Sequence, residues 1–227
     1  MEITPPLTRA PYEFHSLDEL KKLITQRGQF FGEDKSGPAC NFRPEYPCDK
    51  TLYQHLGLKG HNGLDIPCND SEPIIASHNG VVVETSSDES AGLGVVLWDS
   101  KQLIKTFYWH LKSFPVKVGD GVLKGQIIGY ADNTGLSSGT HLHFGLKQTN
   151  QSGTTINWDN GFYGAIDPWP ALEWFNHMTE EEVKKQYALA FYRAPDAGEL
   201  AFWLGRPLLE FLNTAIKDRA EFLKNQI

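Results

Sequence analysis

His141-Leu142-His143-Phe144-Gly145-Leu146-Lys147 is the stretch on which the reading of this chain turns. On a β-strand, side chains two apart project to the same side. His141 and His143 then share one face, while Leu142 and Phe144 face a core. Paired imidazoles on one strand face suit a metal; two histidines on a solvent-facing sheet surface are the other reading. Working outward, residues 60–168 fall into short β-type runs separated by turn chemistry such as Ser86-Ser87-Asp88, Asp99-Ser100 and Asn133-Thr134-Gly135. Candidate strands cover 63–66, 73–76, 80–85, 95–99, 104–110, 126–130 and 141–147. With no long helical pattern between them, these runs predict a mainly β domain with antiparallel pairing.

The flanks differ in texture. Ser16-Leu17-Asp18-Glu19 reads as a capping box opening a short helix with Leu17, Leu20, Leu23 and Ile24 on one face, ending at Gly28. From there to about residue 60 the chain is rich in Gly, Pro and single aromatics and predicts an irregular arm. After Trp169 the signal turns helical: Thr179-Glu180-Glu181-Glu182 and Asp196-Ala197-Gly198-Glu199 are further capping boxes. Val183, Tyr187 and Ala190, then Leu208, Leu212, Ile216 and Phe222, follow at helical spacing. The expected organisation is an N-terminal helix and arm (1–49), a β-domain (50–170) and a small C-terminal α-helical unit (171–227).

Composition narrows the function. The 227 residues carry 21 Lys+Arg against 28 Asp+Glu, a net charge of -7, which argues against a nucleic-acid binder. No stretch approaches the roughly 20 apolar residues of a transmembrane helix, and the first residues lack the pattern of an export leader. Three cysteines permit one intrachain disulfide. Cys40–Cys48 is the candidate because both lie in a Pro-containing loop region; three reduced thiols are the other reading. Eight His stand against two Met, and histidine is the commonest metal ligand and acid–base residue near neutral pH.

Two more segments carry histidines in patterned surroundings. Gly60-His61-Asn62-Gly63-Leu64-Asp65 spaces His61 and Asp65 four apart. On an extended strand their Cα atoms would lie about 13 Å apart, too far to share a metal, whereas a bend at Gly63 would bring them together. Phe107-Tyr108-Trp109-His110-Leu111 alternates so that Tyr108 and His110 should share a face; a lone His among aromatics is ordinarily half-buried. Together the segments offer His61, Asp65, His110, His141 and His143. A catalytic zinc takes three protein ligands and keeps a position for water, so two His and one carboxylate suffice, and two His remain as acid–base partners. A cupin would need a carboxylate three or four residues after its H-x-H, where Leu146, Lys147 and Gln148 stand. A three-His site would leave His61 and Asp65 unexplained. His15, His55, His78 and His177 fall outside these patterns and are expected to be surface or packing residues.

The chain from about 60 to 168 resembles the lysostaphin-type (M23) zinc metallopeptidases, which cut peptide cross-links of bacterial cell walls. The likeness rests on His61-x-x-x-Asp65, Ile75-Ala76, Asn79-Gly80-Val81-Val82, Gly92-Leu93-Gly94 and Tyr108-x-His110-Leu111. It continues through Val118-Gly119-Asp120, Lys124-Gly125-Gln126-x-Ile128-Gly129, Thr134-Gly135, His141-Leu142-His143-Phe144 and Asp167-Pro168. The resemblance implies one zinc ion per chain, held by His61, Asp65 and His143. It implies His110 and His141 as unligated catalytic histidines and an antiparallel β-domain with a substrate groove. Tyr108 is a candidate substrate-binding donor beside them; a buried tyrosine with a satisfied hydroxyl is the other reading. The substrate it implies is the stem peptide or cross-bridge of peptidoglycan, with action outside the bacterial cytoplasm. The other readings are a non-catalytic wall-binding or amidase-activating module and a structural phage-tail component. Residues 148–164, with Trp158 and Phe162, form either a groove wall or a plain surface hairpin. The C-terminal unit is similar to a small helical module appended to some secreted and phage proteins, which suggests a protein partner; a packed helical tail is the alternative.

Overall fold

The computed structural model describes residues 3–7, 17–172 and 184. The chain divides after Leu172, and the fold is that of the first unit. The cap at Ser16, His15, His177 and the C-terminal helices read after Trp169 lie outside the described residues. Helix α1 (Leu17–Arg27) has Asp18 and Glu19 in its first turn and Arg27 in its last, complementing the helix dipole. It buries Leu20 and Ile24 and packs against β1.

The sheet has nine strands: β1 (Leu64–Pro67), β2 (Pro73–Ile75), β3 (Gly80–Asp88), β4 (Gly92–Asp99), β5 (Ile104–Ser113), β6 (Gly121–Val122), β7 (Ile127–Ala131), β8 (His141–Gln148) and β9 (Ala165–Ile166). The order is β1-β8-β5-β4-β3-β6, with β7 joining β2 to β5 and β9 lying beside β8. Every pairing between these strands is antiparallel. Seven strands match the expected runs; β6 and β9, two residues each, escape a periodicity reading. Ser86-Ser87-Asp88 is strand rather than turn, because Ser86 and Ser87 continue the ladder opposite Gly94 and Leu93. Leu64, Ile66, Leu97, Leu142 and Phe144 are fully buried in the core, so the inward face of β8 is the one the alternation gives.

One expectation about β5 needs correction. Val95 faces Tyr108 and Leu93 faces Leu111, so three steps along β5 oppose two along β4. This β-bulge breaks the period of two, and Tyr108 and His110 do not share a face. Tyr108 points into the core with no exposed surface. Its hydroxyl is hydrogen-bonded to the Ser77 N–H (3.0 Å) and to Thr106 Oγ1 (2.9 Å). His110 is carried at φ 63 and joins Trp109 on the opposite side.

The arm is more ordered than its composition suggests. A disulfide joins Cys40 to Cys48, and a short helix α2 (Leu52–His55) starts at Thr51. The Thr51 side chain accepts from Gln54 N–H while Gln54 accepts from Thr51 N–H, a capping box. Gln29 N–H and C=O pair with Asp65 across an antiparallel bridge, which ties the arm to β1.

Candidate active site

The bend at Gly63 brings His61 beside Asp65, with Nε2 2.9 Å from Oδ1. Glycine is required there for room. A Cβ would sit 2.6 Å from the Phe144 carbonyl oxygen and 2.8 Å from His143 Nε2. Strand β1 then pairs with β8 so that Asp65 stands opposite His143. His143 Nδ1 lies 3.1 Å from Asp65 Oδ1 and 2.9 Å from His61 Nε2.

The surroundings of these three side chains fix their orientation. The arm grips His61 through its backbone N–H, donated to Glu33 C=O at 2.8 Å, and its C=O, which accepts from Gly32 N–H at 2.8 Å. His61 Nδ1–H donates to the Phe30 carbonyl at 3.2 Å, so Nε2 carries the lone pair toward Asp65. His143 is stacked on Trp109 (5.0 Å between ring centroids, 15° between planes) and lies beside Phe107. Phe107 in turn lies against Gly145, where a Cβ would come within 1.8 Å of the ring. The glycine in β8 thus lets the aromatic floor rise under His143.

His110 and His141 flank the trio, their rings 4.6 Å apart. His110 Nδ1–H donates to the Thr134 carbonyl at 2.6 Å. Thr134 Oγ1 donates to Leu111 C=O and accepts from Leu93 N–H, so one residue pins both strands at the bulge. His141 Nδ1–H donates to Gly139 C=O at 2.7 Å, and its Nε2 is 3.3 Å from Asp65 Oδ1.

The electrostatics follow from burial around one carboxylate. Burial alone would raise the Asp65 pKa, but the imidazoles of His61, His141 and His143 gathered on Oδ1 hold it well below the usual carboxylate range. Burial, reinforced by His141 and His143, pushes His110 down to about 3. Burial also takes His143 down to about 4 against the pull of Asp65. For His141 burial is outweighed by Asp65, and its pKa rises.

The donor set fits a zinc ion. His61 Nε2, Asp65 Oδ1 and His143 Nδ1 all lie within 4.8 Å of one another. Their separations of 2.9–3.1 Å approach the ~3.3 Å ligand–ligand edge of a tetrahedron with zinc-type bond lengths. Three imidazoles converge on one carboxylate oxygen, and His143 Nε2 is buried without a hydrogen-bond partner. Such crowding of lone pairs in a buried place is what a bound cation relieves.

A cleft of about 630 Å³ opens over these groups. His110, His141, His143 and Asp65 line it from the sheet, Phe42 and Tyr53 from the arm, and Tyr163 from the β8–β9 connection. Five of the six expected site residues therefore meet; Tyr108 does not. Two aromatic residues of the cleft besides Phe42 and Tyr163 are Trp109, turned inward by the bulge, and Tyr53, neither of them marked as a site residue by the sequence reading. The Tyr53 hydroxyl donates to Gln29 Oε1 at 3.1 Å, and burial together with the Asp65 charge raises its pKa. Its signal was present: Thr51-Leu52-Tyr53-Gln54 has the capping-box spacing.

Residues 59–157 match the model of Peptidase family M23. The chain is 36% identical over 121 residues to the glycyl-glycine endopeptidase ALE-1 of Staphylococcus capitis, covering 52% of this chain and 31% of that protein. It is 41% identical over 86 residues to the peptidoglycan DD-endopeptidase ShyA of Vibrio cholerae, covering 38% and 20%. Among solved structures it is similar to the catalytic domain of lysostaphin from Staphylococcus simulans, at 31% identity and a TM-score of 0.45, covering 69% of this chain and 97% of that one. The chain thus carries an M23 peptidase domain, homologous to lysostaphin, ALE-1 and the Vibrio DD-endopeptidases. It spans less than a third of the length of these curated relatives. Among the described residues, no helix is long and apolar enough to cross a membrane.

Proposed function

We propose that this chain is a zinc-dependent endopeptidase that hydrolyses peptide cross-links of bacterial peptidoglycan, acting where that polymer lies, outside the cytoplasm. The observation that carries the reading is the convergence of His61 Nε2, Asp65 Oδ1 and His143 Nδ1 at a cleft lined by Asp65, His143 and two further histidines. The names of the M23 relatives, endopeptidases of glycyl-glycine bonds and of peptidoglycan, support the substrate class.

In this reading His61, Asp65 and His143 are the metal ligands. Zinc bound there supplies a Lewis acid and lowers the pKa of a water ligand to about 7. The Phe30 carbonyl holds His61 in the tautomer that presents Nε2. His110 and His141 have their Nδ1–H groups tied to backbone carbonyls, which leaves each Nε2 to exchange protons in the cleft. They share two tasks: orienting the attacking water while taking its proton, and returning a proton to the leaving amine. Trp109 and Tyr53 wall the reacting centre, with the Tyr53 hydroxyl held by Gln29 Oε1.

Zymography on purified cell walls tests the reading, together with metal analysis of variants. The wild type should clear walls, and chelator should stop it. His61→Ala and Asp65→Ala should lose both zinc and clearing. His141→Ala should keep zinc and lose about 10²- to 10⁴-fold in turnover. Clearing that survives chelation, or stoichiometric zinc in Asp65→Ala, would overturn the assignment.

A further inference from the structure

Residues 149–164, between β8 and β9, have no part in the chemistry above, yet they are tied down by several hydrogen bonds and ring contacts. The Asn160 side chain accepts from the N–H groups of Phe162 and Gly164 and donates to Ala165 C=O at 2.8 Å. Lys59 N–H donates to Gly161 C=O at 3.0 Å, and the Phe162 ring packs on Phe31 of the arm, 4.6 Å between centroids. The Tyr163 hydroxyl reaches the Leu56 carbonyl of the arm at 2.5 Å. Asn157 and Tyr163 adopt φ 55 and φ 53, the left-handed region that costs a non-glycine residue energy and persists where surroundings over-determine it.

What this frame presents is an aromatic shelf. Trp158 is 57% exposed, and Tyr163, 39% exposed, stacks beside it at 5.6 Å and 26°. Lys147 places its ammonium 4.7 Å from the centre of the Trp158 ring. Tyr163 also lines the cleft that holds the histidines, so the shelf continues its wall. Folding ordinarily buries an indole; holding one open beside a cleft, on a segment locked from three sides, marks a contact surface.

We propose that Trp158 and Tyr163 form a saccharide subsite that receives an N-acetylated hexosamine ring of the glycan strand to which the peptide substrate is attached; this rests on the peptidoglycan reading above. The C–H bonds on a pyranose face carry partial positive charge and suit the negative face of an indole. Lys147 adds a donor for ring hydroxyls or the acetamido carbonyl. A bare peptide cross-link has no such face to offer. Sugar on the shelf and peptide in the cleft would position the cross-link through a part of the substrate remote from the bond cut.

Two measurements on the full chain test this. The first titrates N-acetylglucosamine tetramer while following indole N–H resonances, a readout that needs no turnover. Wild type and His141→Ala should bind alike, Trp158→Ala should bind about fivefold more weakly, and Trp158→Phe should fall between. The second compares cross-linked peptide dimers with and without their disaccharides. Trp158→Ala should lower kcat/KM about fivefold on the sugar-bearing dimer and leave the sugar-free dimer unchanged. The subsite is refuted by a wild type that does not bind the tetramer, by unchanged binding in Trp158→Ala, or by equal loss on both dimers. If the wild type cut neither dimer, the peptidase reading would fall, and the titration would still decide the subsite.

Discussion

The sheet and the arm face each other across the same cleft, but they are held by different means. Strands β5 and β8 pair residue for residue as far as Trp109 and His143, with His110 and His141 just beyond the end of that ladder and an aromatic floor of Phe107 and Trp109 beneath. The arm has little regular structure and reaches the cleft through single ties: the Gln29–Asp65 bridge, the Phe30 carbonyl on His61, the Cys40–Cys48 disulfide and the capped turn at Thr51. A lesion in the sheet should therefore damage fold and site together, whereas one in the arm should loosen the wall and leave the ladder intact.

The largest effect is expected at Gly145. Valine there would drive two methyl groups into Phe107 and displace the floor under His143. Urea unfolding should report a loss of about 3 kcal/mol, and hydrolysis should fall with it. Near-wild-type stability would mean that the floor repacks freely. Cys40→Ser with Cys48→Ser comes next, at about 2 kcal/mol for a short loop. Native-state hydrogen exchange should quicken over residues 29–58 and hold steady in β4 and β5. A uniform rise would show that arm and sheet open as one.

A smaller effect separates the sheet's far side from its catalytic side. His78 is buried, with Nδ1 on Asn79 C=O and Nε2 on Thr106 Oγ1 at 2.9 Å. Burial holds its pKa below 6.5, outweighing Asp99, while Lys124 adds to the lowering. Because the unfolded chain binds this proton more readily, stability should fall as pH drops below 6.5 and gain nothing from His78 above it. His78→Gln should flatten that slope in thermal melts from pH 7 to 5. The smallest effect belongs to the exposed Arg43–Glu89 pair, 2.7 Å, between arm and β3–β4 hairpin. Solvent screens it, and Arg43→Ala should leave the melting temperature unchanged.

The same contrast explains what could be read in advance. Period-two alternation is a local signal, and it gave seven strands and the inward face of β8 from residues alone. His61 and Asp65 were legible as a pair because Gly63 between them permits the bend. The bulge was not legible, because an extra residue in β5 is defined only against its partner β4, and for that reason the alternation put Tyr108 and His110 on one face. Phe30 and Gln29 act through backbone and tertiary pairing, which leaves no mark on residue type. Tyr53 had a local sign in its capping box, overlooked amid a stretch with little periodicity. His78, expected to be ordinary, is part of a buried polar chain through Thr106 to Tyr108.

The bulge in β5 has a consequence for how this protein can change. Deleting one residue between Tyr108 and Leu111 would leave two steps facing two, release the φ 63 conformation at His110 and restore regular pairing with β4. The shortened chain would gain a better sheet and lose the turn that aims an imidazole into the cleft. Regular pairing and the aim of His110 are therefore alternatives at this point of β5, and this chain has the second.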